Sequence, residues 1–156
     1  MSNRERSENT LLKELPKKIE RFVSAHWSGN LKIGKGTLST ESEILDDTKY
    51  SFASRFQEDE KGTNPEELLA AAHAGCFTMS VAALLSKKGF VATSLDTKAT
   101  VTMEGLHITI IHLSIAGKVD EMLAEDFAEI TFEAQKTCML STILKIPVTL
   151  ETTFIG

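Results

Sequence analysis

Cysteine is scarce in this chain: two in 156 residues, too few for a disulfide framework or a four-thiolate zinc site. Proline and glycine are scarce as well, at three and nine, which excludes collagen-like repeats, mucin stalks and long flexible linkers. Positive charge is not in excess, since 17 Lys and Arg stand against 22 Asp and Glu for a formal net charge of −5. Polyanion binding needs clustered cationic side chains. The densest basic stretch, Lys13 to Arg21, also carries Glu14 and Glu20, so nucleic acid is not an expected partner. The amino-terminal stretch is charged and lacks an apolar signal core, which argues against secretion. No continuous apolar run approaches the roughly 20 residues that span a bilayer. A membrane is therefore not an expected partner, and the cytoplasm is the expected compartment.

What is present suits one soluble domain with a core of its own, because domains typically run to roughly 100–150 residues. Residues 1–24 read as an extension, a weak helix or loose arm interrupted at Pro16, with Leu11, Leu12, Leu15, Ile19 and Phe22 near helical spacing. From Ser24 to Ala53 the pattern is strand and turn, two or three antiparallel strands, with Asp46-Asp47 expected to turn the chain between Ile44-Leu45 and Tyr50-Phe52. Residues 54–63 are a polar connection.

Asn64 then suits a helix N-cap, Pro65 the first helical position, and Glu66 and Glu67 the positive end of the helix dipole. From Leu68 to Leu85 the sequence is rich in Ala, Leu and Met with almost no charge, the texture of a buried helix. Lys87-Lys88-Gly89 supplies a basic last turn and a stop. Residues 91–103 alternate, with Leu95, Thr97, Ala99, Val101 and Met103 on one face. Residues 106–115 alternate but change phase, which a bulge near Ile110 would repair. Asp120 to about Leu144 reads as one helix with Leu123, Phe127, Ile130, Ala134 and Cys138 on a stripe. Ile146, Val148, Leu150 and Phe154 form a last strand. This order predicts an α+β fold with antiparallel sheet.

Few residues can carry chemistry. Cys76, in AAHAGCFTM, and Cys138 are either two small core hydrophobes or a working pair. A reactive thiol needs a positive neighbour or a helix N-terminus, and Arg55 and Lys61 lie in the polar connection. Cys76 is ten positions beyond Glu66, about 15 Å of helical rise. One unbroken helix cannot bring those two together. Either the helix breaks around Ala70–Gly75, or a second chain brings its own residues to the site. His73, three residues before Cys76, shares its helical face and opens the alternative of a Cys–His thiol hydrolase. A non-enzymatic dimer binding an apolar ligand is the other alternative. His107 and His112 form no metal constellation.

RFQEDEKGTNPEELLAAAHAGCF at residues 55–77, together with AHWSGNLKIGKGTLSTES at 25–42, resembles the OsmC/Ohr family, and more closely its osmotically inducible branch. The resemblance runs from residue 25 to 156. It implies antiparallel sheets wrapped around central long helices in an intertwined homodimer, with active sites at the subunit interface. It implies a cofactor-independent thiol peroxidase that reduces organic hydroperoxides, and hydrogen peroxide less well. Residue by residue, Cys76 matches the peroxidatic cysteine, Cys138 the resolving one, Arg55 the branch's arginine and Glu66 its carboxylate partner, Glu67 matching less well.

In that chemistry Cys76 becomes a sulfenic acid, Cys138 condenses with it to a disulfide, and an external dithiol of lipoyl type reduces the disulfide. Arg55 would favour the thiolate and stabilise charge on the peroxide oxygens, held by a bidentate pair with Glu66. One departure stands out: the family's proline after the second cysteine is replaced here by Met139, while Ser141 and Leu144 keep the rest of that pattern.

Overall fold

The computed structural model describes residues 13–15, 18–57 and 61–156. Of the amino-terminal stripe, Leu11 and Leu12 lie outside the described residues, and Leu15, Ile19 and Phe22 are exposed. The described chain is α+β and forms two compact units, one of Pro16–Leu68 and the other of Leu69–Gly156 with the described amino-terminal residues up to Leu15.

The first unit is a three-stranded antiparallel sheet in the order β1 (Val23–Ser28), β2 (Lys35–Thr40), β3 (Thr48–Tyr50). The strand content expected between Ser24 and Ala53 is present. Ile44 and Leu45, however, belong to the β2–β3 connection rather than to a strand. The Leu45 carbonyl accepts from the Thr40 amide at 2.9 Å, and Ile44 is 83% exposed. Asp47 ends that connection with φ +45°, a left-handed conformation that aspartate tolerates better than most residues.

Helix α1 (Pro65–Lys87) begins in the first unit and continues into the second. Asn64 caps it, its Oδ1 accepting from the Glu67 amide at 2.8 Å. The far end closes as a Schellman motif: the Phe90 amide donates to the Leu85 carbonyl and the Gly89 amide to that of Ser86, both at 3.0 Å, with Gly89 at φ +84°. The helix does not break at Ala70–Gly75.

Nor is α1 buried all round within one chain. His73, Phe77, Val81 and Leu85 are buried, a stripe repeating every four residues. Its 18-residue window of mean hydropathy 1.8 makes α1 long and apolar enough, by length and composition, to cross a membrane, and only 22% of that window is buried. No continuous apolar run of that length is present, since His73, Gly75, Thr78 and Ser80 interrupt the string, but they add no charge and so the mean hydropathy of the window stays high.

The second unit packs this stripe, α2 (Ala124–Thr137) and the short α3 (Met139–Ile143) with a second sheet ordered β4 (Ala92–Glu104), β5 (His107–Val119), β6 (Val148–Phe154). β4 and β5 pair antiparallel, and the predicted bulge lies at Thr109, where the register steps from Thr102↔Ile110 to Met103↔Ile108. Beyond it Ile111, Leu113, Ile115 and Val119 all reach the core. β6 pairs parallel to β5, so this sheet is mixed and the expectation of purely antiparallel pairing does not extend to it. The reason is the connection: a helical crossover, not a hairpin, joins β5 to β6.

Phe127 of α2 is fully buried and sits so close to the sheet that a Cβ on Gly117 would overlap its ring. Phe127, Ile130, Ala134 and Cys138 keep the expected stripe, but Leu123 is the exposed N-cap residue. The predicted helix from Asp120 to Leu144 is two helices meeting at Cys138, whose ψ of 144° is extended.

Candidate active site

Two groups of functional side chains are built here, one in each unit. The first is local. Residues Ala53–Arg55 form a single 3-10 turn, closed by reciprocal bonds in which the Ser51 and Ser54 amides each donate to the other's Oγ at 3.0 Å. Ser54 Oγ donates onward to the Thr63 carbonyl at 2.9 Å, and Asn64 Nδ2 donates to the Ser54 carbonyl at 3.1 Å. Asn64 therefore caps α1 with one side-chain atom and ties down the turn carrying Arg55 with the other.

The consequence is a fixed guanidinium. Arg55 Nε donates to Glu66 Oε1 at 3.0 Å and to Oε2 at 3.2 Å, and Nη2 also donates to Oε1. Only 27% of the arginine side chain and 13% of the glutamate side chain are exposed, so the pair is partly withdrawn from water, where charge-assisted bonds are stronger. The guanidinium also lies over the Phe56 ring, 5.7 Å from its centroid. Glu67, the other first-turn carboxylate, accepts instead from Thr63 Oγ1 at 3.1 Å. The Arg55–Glu66 partnership inferred from the motif is thus the one formed.

The second group depends on packing. Cys76 is half-buried against the core cluster that contains Cys138, which is 1% exposed, and both are free thiols. Cys138 ends α2 and caps α3. Its Sγ donates to Ser141 Oγ at 3.0 Å and accepts from the Ser141 amide at 3.4 Å. Ser141 Oγ in turn lies 2.8 Å from His73 Nε2 on α1, one turn before Cys76. The ring of His73 is fully buried, its Nδ1 has no hydrogen-bond partner, and burial lowers its pKa below the ordinary imidazole value.

His73 therefore makes no hydrogen bond to Cys76, and the dyad a thiol hydrolase needs is not formed. Met139 occupies the first position of α3, where the family's proline would suit because that amide needs no intrahelical partner. The helix forms without it. The sequence pointed to Ser141 only as part of a family pattern, and Asn64 only as a cap. Their cross-links to His73 and Ser54 span 68 and 10 positions, and no local signal announces them. Among the described residues no three His, Cys, Asp or Glu side chains gather where a metal ion could be held.

An α+β chain with two free thiols sharing a core and a forked arginine–carboxylate pair is the class of protein these elements define. A sequence model of the OsmC-like protein family matches residues 58–153. The chain is 46% identical over 137 residues to Peroxiredoxin OsmC of Escherichia coli strain K12, covering 85% of this chain and 95% of that protein, and equally to Peroxiredoxin OsmC of Shigella flexneri. Among solved structures, an OsmC-like protein from Mycoplasma pneumoniae superposes with a TM-score of 0.70 at 12% identity, covering 88% of this chain and 99% of that one. The organic hydroperoxide resistance protein OhrB of Bacillus subtilis gives 0.59 at 18% identity, covering 85% and 98%. The chain belongs to the OsmC-like family.

Proposed function

We propose that this chain is a cysteine-based peroxidase that reduces organic hydroperoxides, with Cys76 as nucleophile and Cys138 as resolving thiol. The observation that carries the reading is the pair of free thiols in one core cluster, with Cys138 tied through Ser141 to the helix of Cys76 one turn away.

The Cys76 thiolate attacks a hydroperoxide oxygen, the O–O bond breaks, and an alcohol leaves with a proton. Cys76 is left as a sulfenic acid. Condensation with Cys138 releases water and forms a disulfide, which removes the sulfenic acid before further peroxide converts it irreversibly. An external dithiol, of lipoyl type in our reading, exchanges with that disulfide and restores both thiols. The cytoplasm, which is kept reducing, is the compartment that fits this cycle.

Arg55 is assigned to the peroxide oxygens and Glu66 to holding its fork in place. Because α1 is continuous, Glu66 and Cys76 of one chain are separated by about 15 Å along it. We assign the shared site to a homodimer in which the arginine pair of one protomer serves the thiol of the other. The exposed face of α1 supports this: Ala71, Ala72, Gly75, Met79, Ala82 and Ala83 lie along it, Met79 is 74% exposed, and a Cβ on Gly75 would meet nothing. An unpartnered apolar face of small side chains suits close packing against a second copy better than it suits water.

The experiment is consumption of cumene hydroperoxide with a dithiol. Cys76→Ser should abolish turnover. Cys138→Ser should permit one oxidation of Cys76 without an intramolecular disulfide by mass spectrometry. Mixing unfolded Arg55→Ala and Cys76→Ser chains and refolding them together should recover activity that neither shows alone. Full turnover by Cys76→Ser would remove the nucleophile, and no recovery on mixing would refute the shared site.

A further inference from the structure

We propose that His73 and Ser141 form a proton relay that takes the thiol proton of Cys138 as it attacks oxidised Cys76. The inference rests on the Cys76–Cys138 reading above and assigns the base for its second step.

The geometry is a continuous chain: Cys138 Sγ donates to Ser141 Oγ at 3.0 Å, and Ser141 Oγ lies 2.8 Å from His73 Nε2. A hydroxyl both accepts and donates, so Ser141 can receive the thiol hydrogen while passing its own to the imidazole. This direction requires Nε2 to be the bare nitrogen and Nδ1 to carry the ring hydrogen. Nδ1 is the buried atom without a partner. A histidine serving only to fill the core would be expected to satisfy both nitrogens, because an unpaired buried polar atom is costly. A ring left half-satisfied, with its bonded nitrogen aimed at a hydroxyl on a thiol, is arranged to accept a proton. Burial disfavours the imidazolium, which keeps the resting ring neutral and able to act.

The step balances. The Cys138 proton moves to Ser141 as the Ser141 proton moves to His73 Nε2. The Cys138 thiolate attacks Cys76 sulfur, the S–S bond forms and the S–O bond breaks. The departing hydroxide takes up one proton, equal to the one held by the ring, and leaves as water. Cys138 sulfur is oxidised and the Cys76 sulfenic sulfur is reduced, so no further oxidant enters. Neither His73 nor Ser141 touches the hydroperoxide; Ser141 meets the reacting Cys138 thiol itself, and His73 acts through Ser141 as the base of the second step.

The test is a single turnover of the full-length reduced protein with one equivalent of cumene hydroperoxide, quenched at intervals. Dimedone trapping measures the sulfenic acid, and mass spectrometry measures the disulfide. His73→Gln keeps a bond to Ser141 but cannot accept a proton. It should slow disulfide closure by roughly 100-fold, the size of a general-base contribution, so that sulfenic acid accumulates. Ser141→Ala should slow closure similarly, and Ser141→Thr, which restores the hydroxyl, should recover most of the rate. Wild-type closure should also slow in D2O, and that isotope effect should disappear with Ser141→Ala. A merely structural role would not produce the isotope effect or its loss.

Closure by both His73→Gln and Ser141→Ala at the wild-type rate would overturn the relay. A slowed Ser141→Ala without rescue by Ser141→Thr would also overturn it. If His73→Gln does not fold, the two Ser141 variants carry the test. A wild-type protein that oxidises Cys76 but never forms the Cys76–Cys138 disulfide would sink the underlying reading, and the relay with it, a result distinguishable from failure of the relay alone.

Discussion

The Arg55–Glu66 pair and the Cys138–Ser141–His73 chain are built in opposite ways. The first joins residues 11 positions apart and is held by turn and cap bonds among Ser51, Ser54, Thr63 and Asn64. The second joins residues 68 positions apart and exists only because α1 and the α2–α3 junction share one core. A local site is secured by short-range hydrogen bonds between side chains and backbone and tolerates changes elsewhere. A packed site inherits the stability of everything between its parts.

That contrast can be broken from either side. Phe127→Ala removes a fully buried ring that lies against Gly117 and Phe154, its centroid 5.5 Å from the latter. It should cost about 3–5 kcal/mol in denaturant unfolding and slow disulfide closure more than it slows the first oxidation of Cys76. Arg55→Ala attacks the other site. It should lower the rate of that first oxidation by roughly 100- to 1,000-fold, the range for loss of a donor to developing charge, and cost about 1–3 kcal/mol of stability because the largely buried Glu66 carboxylate loses its partner. Arg55→Lys should recover only part of the rate, because a lysine has no fork to match the Glu66 carboxylate.

Asn64→Ala should cost about 1 kcal/mol as a lost N-cap. It should also slow the first oxidation, since Asn64 holds the turn that aims Arg55. Normal kinetics in this variant would show that the turn is secured without it. The smallest effect is in pH dependence. The unfolded chain protonates His73 near its ordinary value of about 6.5, whereas the buried ring resists protonation until lower pH. Stability from this group is therefore complete above that value and declines as pH falls through the window below it. His73→Gln should flatten that decline in chemical denaturation between neutral and mildly acidic pH.

Legibility in the sequence followed the same division. Asn64, Pro65, Glu66 and Gly89 announced both ends of α1 because capping is a contract among near neighbours. The phase change around Ile110 announced a bulge that is found at Thr109, because side chains alternate strictly along a strand. The break at Cys138 was hidden, since an apolar stripe continues across it and Met139 gives no proline signal. The parallel pairing of β6 was hidden too, because alternation reads the same in either direction.

The sequence by itself determined the α+β order of elements and the two thiols, carried by periodicity and caps, while the Arg55–Glu66 partnership was implied by the family resemblance of one contiguous motif. Tertiary structure alone decided that α1 runs unbroken past Cys76 and exposes an apolar face. It alone decided that Cys138 reaches His73 through Ser141. These depend on which surfaces meet when the core closes, and contacts across 68 residues leave no periodic trace in the chain.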